Sequence, residues 1–126
     1  MKINYIENGE LDAEKIVSIF SSVGWKRDIN TICKAFKGSY YILAYNGEDL
    51  VGFARAISDD YCYTGIYDVI VVPELQGKGI GKQLVTLLME KFKHTTIYLT
   101  YTEEKDTFYE KFGFQKINNA MRMLKN

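Results

Sequence analysis

Residues 76 to 82 read QGKGIGK, three glycines alternating with larger residues directly after the apolar run IYDVIVV and Pro73. Glycine weakens a helix start, so three of them there need a reason beyond a tight turn, which one would serve. A glycine-rich turn opening a helix aims several backbone N–H groups at one spot, and the helix dipole adds positive potential to it. Small side chains let an anion approach, and Lys78 and Lys82 add point charges. Neither common nucleotide loop fits. A Walker A loop would need glycine where Gln76 stands and Ser or Thr where Gln83 stands. A GxGxxG fingerprint would need glycine in place of Lys82 or Leu84.

Two other groups carry chemistry. Asp68 is the one charge in the stretch from Gly65 to Val72. A carboxylate in such an apolar strand either accepts a proton, directly or through water, or is held by a neighbour such as Arg55. Tyr67 is expected on the opposite face, because strand side chains alternate, and is the weaker candidate. His94 is the sole histidine and sits in KFKHTT, which reads as an exposed turn. With one histidine and two distant cysteines, Cys33 and Cys62, no metal site is expected, and both thiols are expected to be free.

The elements that must position these residues follow from periodicity. KINYIE alternates as a strand. Leu11, Ile16, Val17, Ile19 and Phe20 mark a helix with Asp12 as N-cap, and a second helix starts at Asp28 and stops at Gly38. YYILAY and LVGFARAI flank Asn46-Gly47, a strong hairpin signal. IYDVIVV reads as a central strand covered on both faces. Ile80, Leu84, Leu87, Leu88 and Phe92 repeat at helical spacing, TIYLT is a short strand, and a last helix spans Lys105 to Phe112. Two short β-like pieces close the chain, around Phe114 and Met121 to Leu124. The order is β-α-α-β-β-β-α-β-α-β(β), a mixed α/β (α+β) single domain over residues 1–126 with one central, mostly antiparallel sheet flanked by helices.

Composition excludes several classes. Sixteen basic and sixteen acidic residues cancel, which argues against a nucleic-acid partner or an anionic membrane surface. The apolar runs are far shorter than the roughly 20 residues of a membrane span, and no signal peptide is read at the start, so a cytoplasmic location is expected.

VVPELQGKGIGKQLV resembles the coenzyme motif of the GCN5-related N-acetyltransferases, Gln/Arg-x-x-Gly-x-Gly/Ala, with Gln76, Gly79 and Gly81 matching. FYEKFGF (108 to 114) resembles that family's late helix-to-strand signature, and the element order is the family's. SVGW at Trp25, ARAISD (54 to 59) and IYDVIVVPELQGKGIGK resemble small bacterial and cyanobacterial relatives of the plant plastid acetyltransferases, a group associated with serotonin and lysine acetylation.

The resemblance implies acetyl-CoA as cosubstrate, its pyrophosphate on the N–H groups of Gln76, Gly77, Lys78, Gly79, Ile80, Gly81 and Lys82. It implies pantetheine along the edge at Val71 and Val72, one of whose N–H groups faces the acetyl oxygen, and Phe108 among the coenzyme contacts. In the family the strand splays there, often with a bulge. Tyr109 matches the family's general acid, the alternative being a packing aromatic beside Phe108 and Phe112. Trp25, Tyr61 and Tyr63 are expected to line an acceptor slot walled by the helix pair and the hairpin, with Asp59 and Asp60 either attracting an amine or lying in a solvated loop. The activity implied is acetyl transfer to a primary amine, small or protein-borne, by direct attack in a ternary complex, with a homodimer compatible. The alternative is an inactive acyl-CoA sensor or partner subunit.

Overall fold

In the computed structural model, which describes residues 1–126, five strands form one sheet in the order β1-β2-β3-β4-β5. The strands are β1 (Ile3–Glu7), β2 (Tyr40–Asn46), β3 (Asp49–Ser58), β4 (Tyr63–Val71) and β5 (Thr96–Leu99). The helices are α1 (Ala13–Ser22), α2 (Ile29–Lys37), α3 (Ile80–Lys91) and α4 (Asp106–Glu110). β1 to β4 pair antiparallel, and β5 joins β4 in parallel.

Local chemistry sets these boundaries. The Asp12 carboxylate accepts the Lys15 N–H at 3.2 Å, and Asp28 accepts the Thr31 N–H at 2.9 Å, so each expected N-cap satisfies a donor that its helix leaves free. Gly38 caps α2 at its other end. The Asn46-Gly47 turn joins β2 to β3, with Gly47 at φ +63°.

Apolar periodicity then builds a layer on each face. α3 presses Ile80, Leu84, Leu88 and Phe92 onto Ile42, Ala44, Ala54, Ala56 and Ile66. α1 and α2 place Ile16, Phe20 and Phe36 over Leu43 and Phe53 on the other face. Full burial of a side chain such as Leu84 or Leu88 contributes about 1.5–3 kcal/mol.

The structure corrects three expectations. The closing strands are not formed: residues 111–126 hold no strand, and Met121 and Met123 are 99% and 96% exposed. Phe114 instead packs on the α3-side core and edge-on to Tyr109, so its apolar character serves packing rather than a ladder. β4 is not covered throughout, since Ile66 and Val71 are buried while Tyr63 and Tyr67 are exposed. Nor do Tyr67 and Asp68 alternate. Arg55 pairs with Asp68 while Ala56 pairs with Ile66, so Tyr67 is an extra residue, a β-bulge. The bulge puts both side chains on the face that carries Arg55.

Candidate active site

β5 pairs with β4 only from Tyr63 to Ile66, where its own residues end at Leu99. Beyond Tyr67 the outer edge of β4 has no neighbour, and its backbone groups there face open space. The register decides which ones. The Val72 N–H donates to the Val51 carbonyl at 2.9 Å, so it is consumed by β3. Val71, opposite Gly52 in the adjacent non-hydrogen-bonded pair, turns its N–H and carbonyl outward. Its carbonyl accepts the Gln76 side-chain amide at 3.0 Å on that outer side. Of the two expected oxyanion donors, Val71 is therefore free of the ladder and Val72 is not.

Gln76 thus ties the loop to the strand through its side chain. Pro73–Leu75 forms one 3₁₀ turn, and Gly77 and Gly79 follow in the left-handed region at φ +78° and +89°. A β-carbon is strained there, which explains two of the three glycines. Gly79 is the N-cap of α3 and offers no side-chain cap. The first bond at this helix start is Gln83 N–H to the Gly79 carbonyl, 3.0 Å, and no backbone N–H from Gly77 to Lys82 has a protein partner. These donors and the dipole of a twelve-residue helix converge on one small region.

Neither strain nor a clash explains the third glycine, whose β-carbon would make only ordinary contacts. A β-carbon on Gly81 would lie 3.7 Å from Cζ of Phe108 and 3.8 Å from a Val71 methyl. The helix start, the end of β4 and α4 therefore meet at Gly81. Phe108 stacks edge-on against Tyr109 at 4.9 Å and Phe112 at 5.3 Å. Tyr109 is largely buried, and desolvation pushes its phenol up to about 12, so it stays protonated across the neutral range. An ion pair from Lys116 to Asp106, 3.0 Å, fastens α4 to the segment that follows it.

Asp68 shows the second of the two arrangements considered for it. Its carboxylate accepts Arg55 Nε at 2.7 Å, with both side chains 16% exposed. Arg55 also donates to the Ser39 hydroxyl at 3.0 Å and lies over the Phe36 ring.

The expected aromatic slot is not assembled. Trp25 is engaged by Arg27, 5.1 Å from its ring, and Tyr61 stands 84% exposed. Tyr63 contacts Tyr98 at 6.1 Å. Tyr63 starts β4, about 26 Å from Val71 at ~3.3 Å per residue, and Tyr61 lies in the loop before it. Asp59 builds the loop: N–H groups of Cys62, Tyr61 and Tyr63 bond its carboxylate and hold it below the ordinary carboxylate range. His94 bonds Asp60 in an exposed turn, as expected. Tyr67 and Tyr98, not singled out for the slot, lie on the Arg55 face beside the point where the two strands separate. The spacing of Gly65 and Tyr67, a gap beside a ring, was the available signal.

The free thiols Cys33 and Cys62 hold no disulfide, no helix is long and apolar enough to cross a membrane, and no cluster of three metal-ligating side chains occurs.

An acetyltransferase (GNAT) domain family matches residues 37–116. The chain is 34% identical over 118 residues to an uncharacterized N-acetyltransferase, ycf52, of Pyropia yezoensis, covering 86% of this chain and 68% of that one. It is 28% identical over 139 residues to a chloroplastic GCN5-related N-acetyltransferase of Arabidopsis thaliana, covering 90% of this chain and 54% of that one. In fold it is similar to a probable acetyltransferase of meticillin-resistant Staphylococcus aureus, with TM-score 0.89, 19% identity and 99% of each chain covered.

Proposed function

The chain belongs to the GNAT acetyltransferase family and is an N-acetyltransferase, and from that premise we propose that it moves the acetyl group of acetyl-CoA to a primary amine by direct attack in a ternary complex, with Tyr109 as general acid. The observation that carries the reading is the run of unpartnered N–H groups from Gly77 to Lys82, continuous with the open edge at Val71.

In this reading the N–H groups from Gly77 to Lys82 hold the pyrophosphate, with Lys78 and Lys82 adding charge, and Gln76 acts by fixing the loop to Val71. The outer edge of β4 receives the pantetheine amides as a further strand would. Phe108 walls the groove beside Gly81. The Val71 N–H donates to the thioester oxygen as negative charge develops on it. The amine nitrogen bonds the carbonyl carbon and the carbon–sulfur bond breaks. Tyr109 gives its phenolic proton to the departing thiolate, and the proton lost by the amine returns to it through water.

A phenol raised to about 12 is a poorer acid than an ordinary tyrosine, but its burial keeps the proton available at every assay pH. Asp68, held by Arg55, is assigned here as an anchor of the bulge rather than as the direct base. Retention of this whole apparatus favours turnover over a silent sensor.

Calorimetric titration with acetyl-CoA, followed by thiol-release assays on an amine panel with wild type and Tyr109→Phe, tests the reading. Acetyl-CoA binding by both proteins, with turnover by the wild type only, supports it. Turnover unchanged in Tyr109→Phe removes the acid assignment, and absence of acetyl-CoA binding removes the site.

A further inference from the structure

The bulged residue is held from two sides and yet remains open to solvent. The Tyr67 ring lies over Gly65, where a β-carbon would stand 2.6 Å from Cε2, 2.8 Å from the hydroxyl oxygen and 2.9 Å from Cζ. The Arg55 guanidinium lies 5.7 Å from the ring centroid. That guanidinium is itself fixed by Asp68 at 2.7 Å and Ser39 at 3.0 Å. Tyr67 nevertheless keeps 52% of its surface exposed. An aromatic ring immobilised by its own fold has little ordering entropy left to lose when something packs on it. Its position adds direction, because Tyr67 begins the stretch of β4 that β5 leaves unpaired.

We propose that Tyr67 determines acceptor specificity, its exposed ring packing against the carbon skeleton of the incoming amine, with Gly65 and Arg55 as positioning residues that set the ring. The charge on Arg55 is balanced by Asp68, so the platform does not repel a cationic amine before it loses its proton. The device selects primary amines with an apolar or aromatic body over short, hydrophilic ones. It rests on the reading of the β4 edge as the acetyl-transfer site.

The test uses the full chain with phenethylamine and ethanolamine as acceptors, read by thiol release, and calorimetry of each partner. Wild type is expected to prefer phenethylamine. Tyr67→Ala raises the KM for phenethylamine about tenfold, the size of a lost aromatic contact, while the KM for acetyl-CoA stays within about twofold. Gly65→Ala keeps the tyrosine but forces the ring off its seat, and moves the same constant in the same direction. Tyr67→Phe restores most of the wild-type value, which a general folding defect would not do. Should Gly65→Ala fail to fold, Tyr67→Ala with intact acetyl-CoA affinity decides alone. An unchanged phenethylamine KM in Tyr67→Ala overturns the proposal. So does a wild type that binds acetyl-CoA but neither binds nor acetylates phenethylamine. A wild type that fails to bind acetyl-CoA overturns the underlying reading instead.

Discussion

The first half of β4, Tyr63–Ile66, is hydrogen-bonded on both sides, to β3 and to β5, whereas the half beyond Tyr67 keeps only β3. Both halves hold buried apolar side chains, Ile66 in one and Val71 in the other, so composition does not distinguish them. Pairing does. Beyond Tyr67 the outer N–H groups of β4 meet no strand, and they lie beside a helix start whose N–H groups also have no protein partner, so both are open to a ligand as well as to water. The bulge at Tyr67 marks the boundary between a doubly paired half and an open half.

Substitutions in and around the open half test that contrast. Gly79→Glu acts at the start of α3 beside the open half: it strains a left-handed position and puts negative charge where the proposed pyrophosphate would lie. Acetyl-CoA affinity is expected to fall about a thousandfold or more by calorimetry, with little change in the folded spectrum. Tyr109→Phe keeps the ring packing of α4 and removes one proton, and kcat falls about a hundredfold at unchanged acetyl-CoA affinity in steady-state assays. Gly52→Ala strikes β3 opposite the open half, on its paired side. Its β-carbon would meet the Ile70 carbonyl at 2.9 Å, and a loss of about 1–3 kcal/mol is expected in denaturant unfolding. Gln76→Ala removes the bond to the Val71 carbonyl, about 1 kcal/mol, and weakens acetyl-CoA several-fold. The smallest expected effect is one of pH. Tyr109 must be protonated to act, and burial lifts it to about 12. A rate profile of kcat/KM should therefore rise as the amine deprotonates and show no falling limb near pH 10, where an ordinary tyrosine ionises at about that value. A falling limb there would place the acid at an ordinary tyrosine's value and contradict the burial-raised pKa.

Much of this was legible in the residues. The N-caps Asp12 and Asp28, the Asn46-Gly47 hairpin, the glycine loop and the order of elements through α4 all follow local rules that tertiary context did not override. What was illegible depends on pairing. Alternation places Tyr67 opposite Asp68, but a single inserted residue in the β3–β4 ladder reverses that, and no side chain announces it. The choice between Val71 and Val72 turns on hydrogen-bond parity, which two adjacent valines cannot reveal. The closing strands failed for a related reason, since an apolar pattern at Met121 to Leu124 makes a strand only if an edge takes it up, and none does.

A titration of the ¹⁵N-labelled protein with acetyl-CoA, followed amide by amide, separates the two halves of β4. Large shifts are expected at Val71 and from Gly77 to Lys82, with Tyr63 to Ile66 nearly still. Shifts confined to the doubly paired half, or spread without regard to the boundary at Tyr67, would contradict the assignment of acetyl-CoA to the open half.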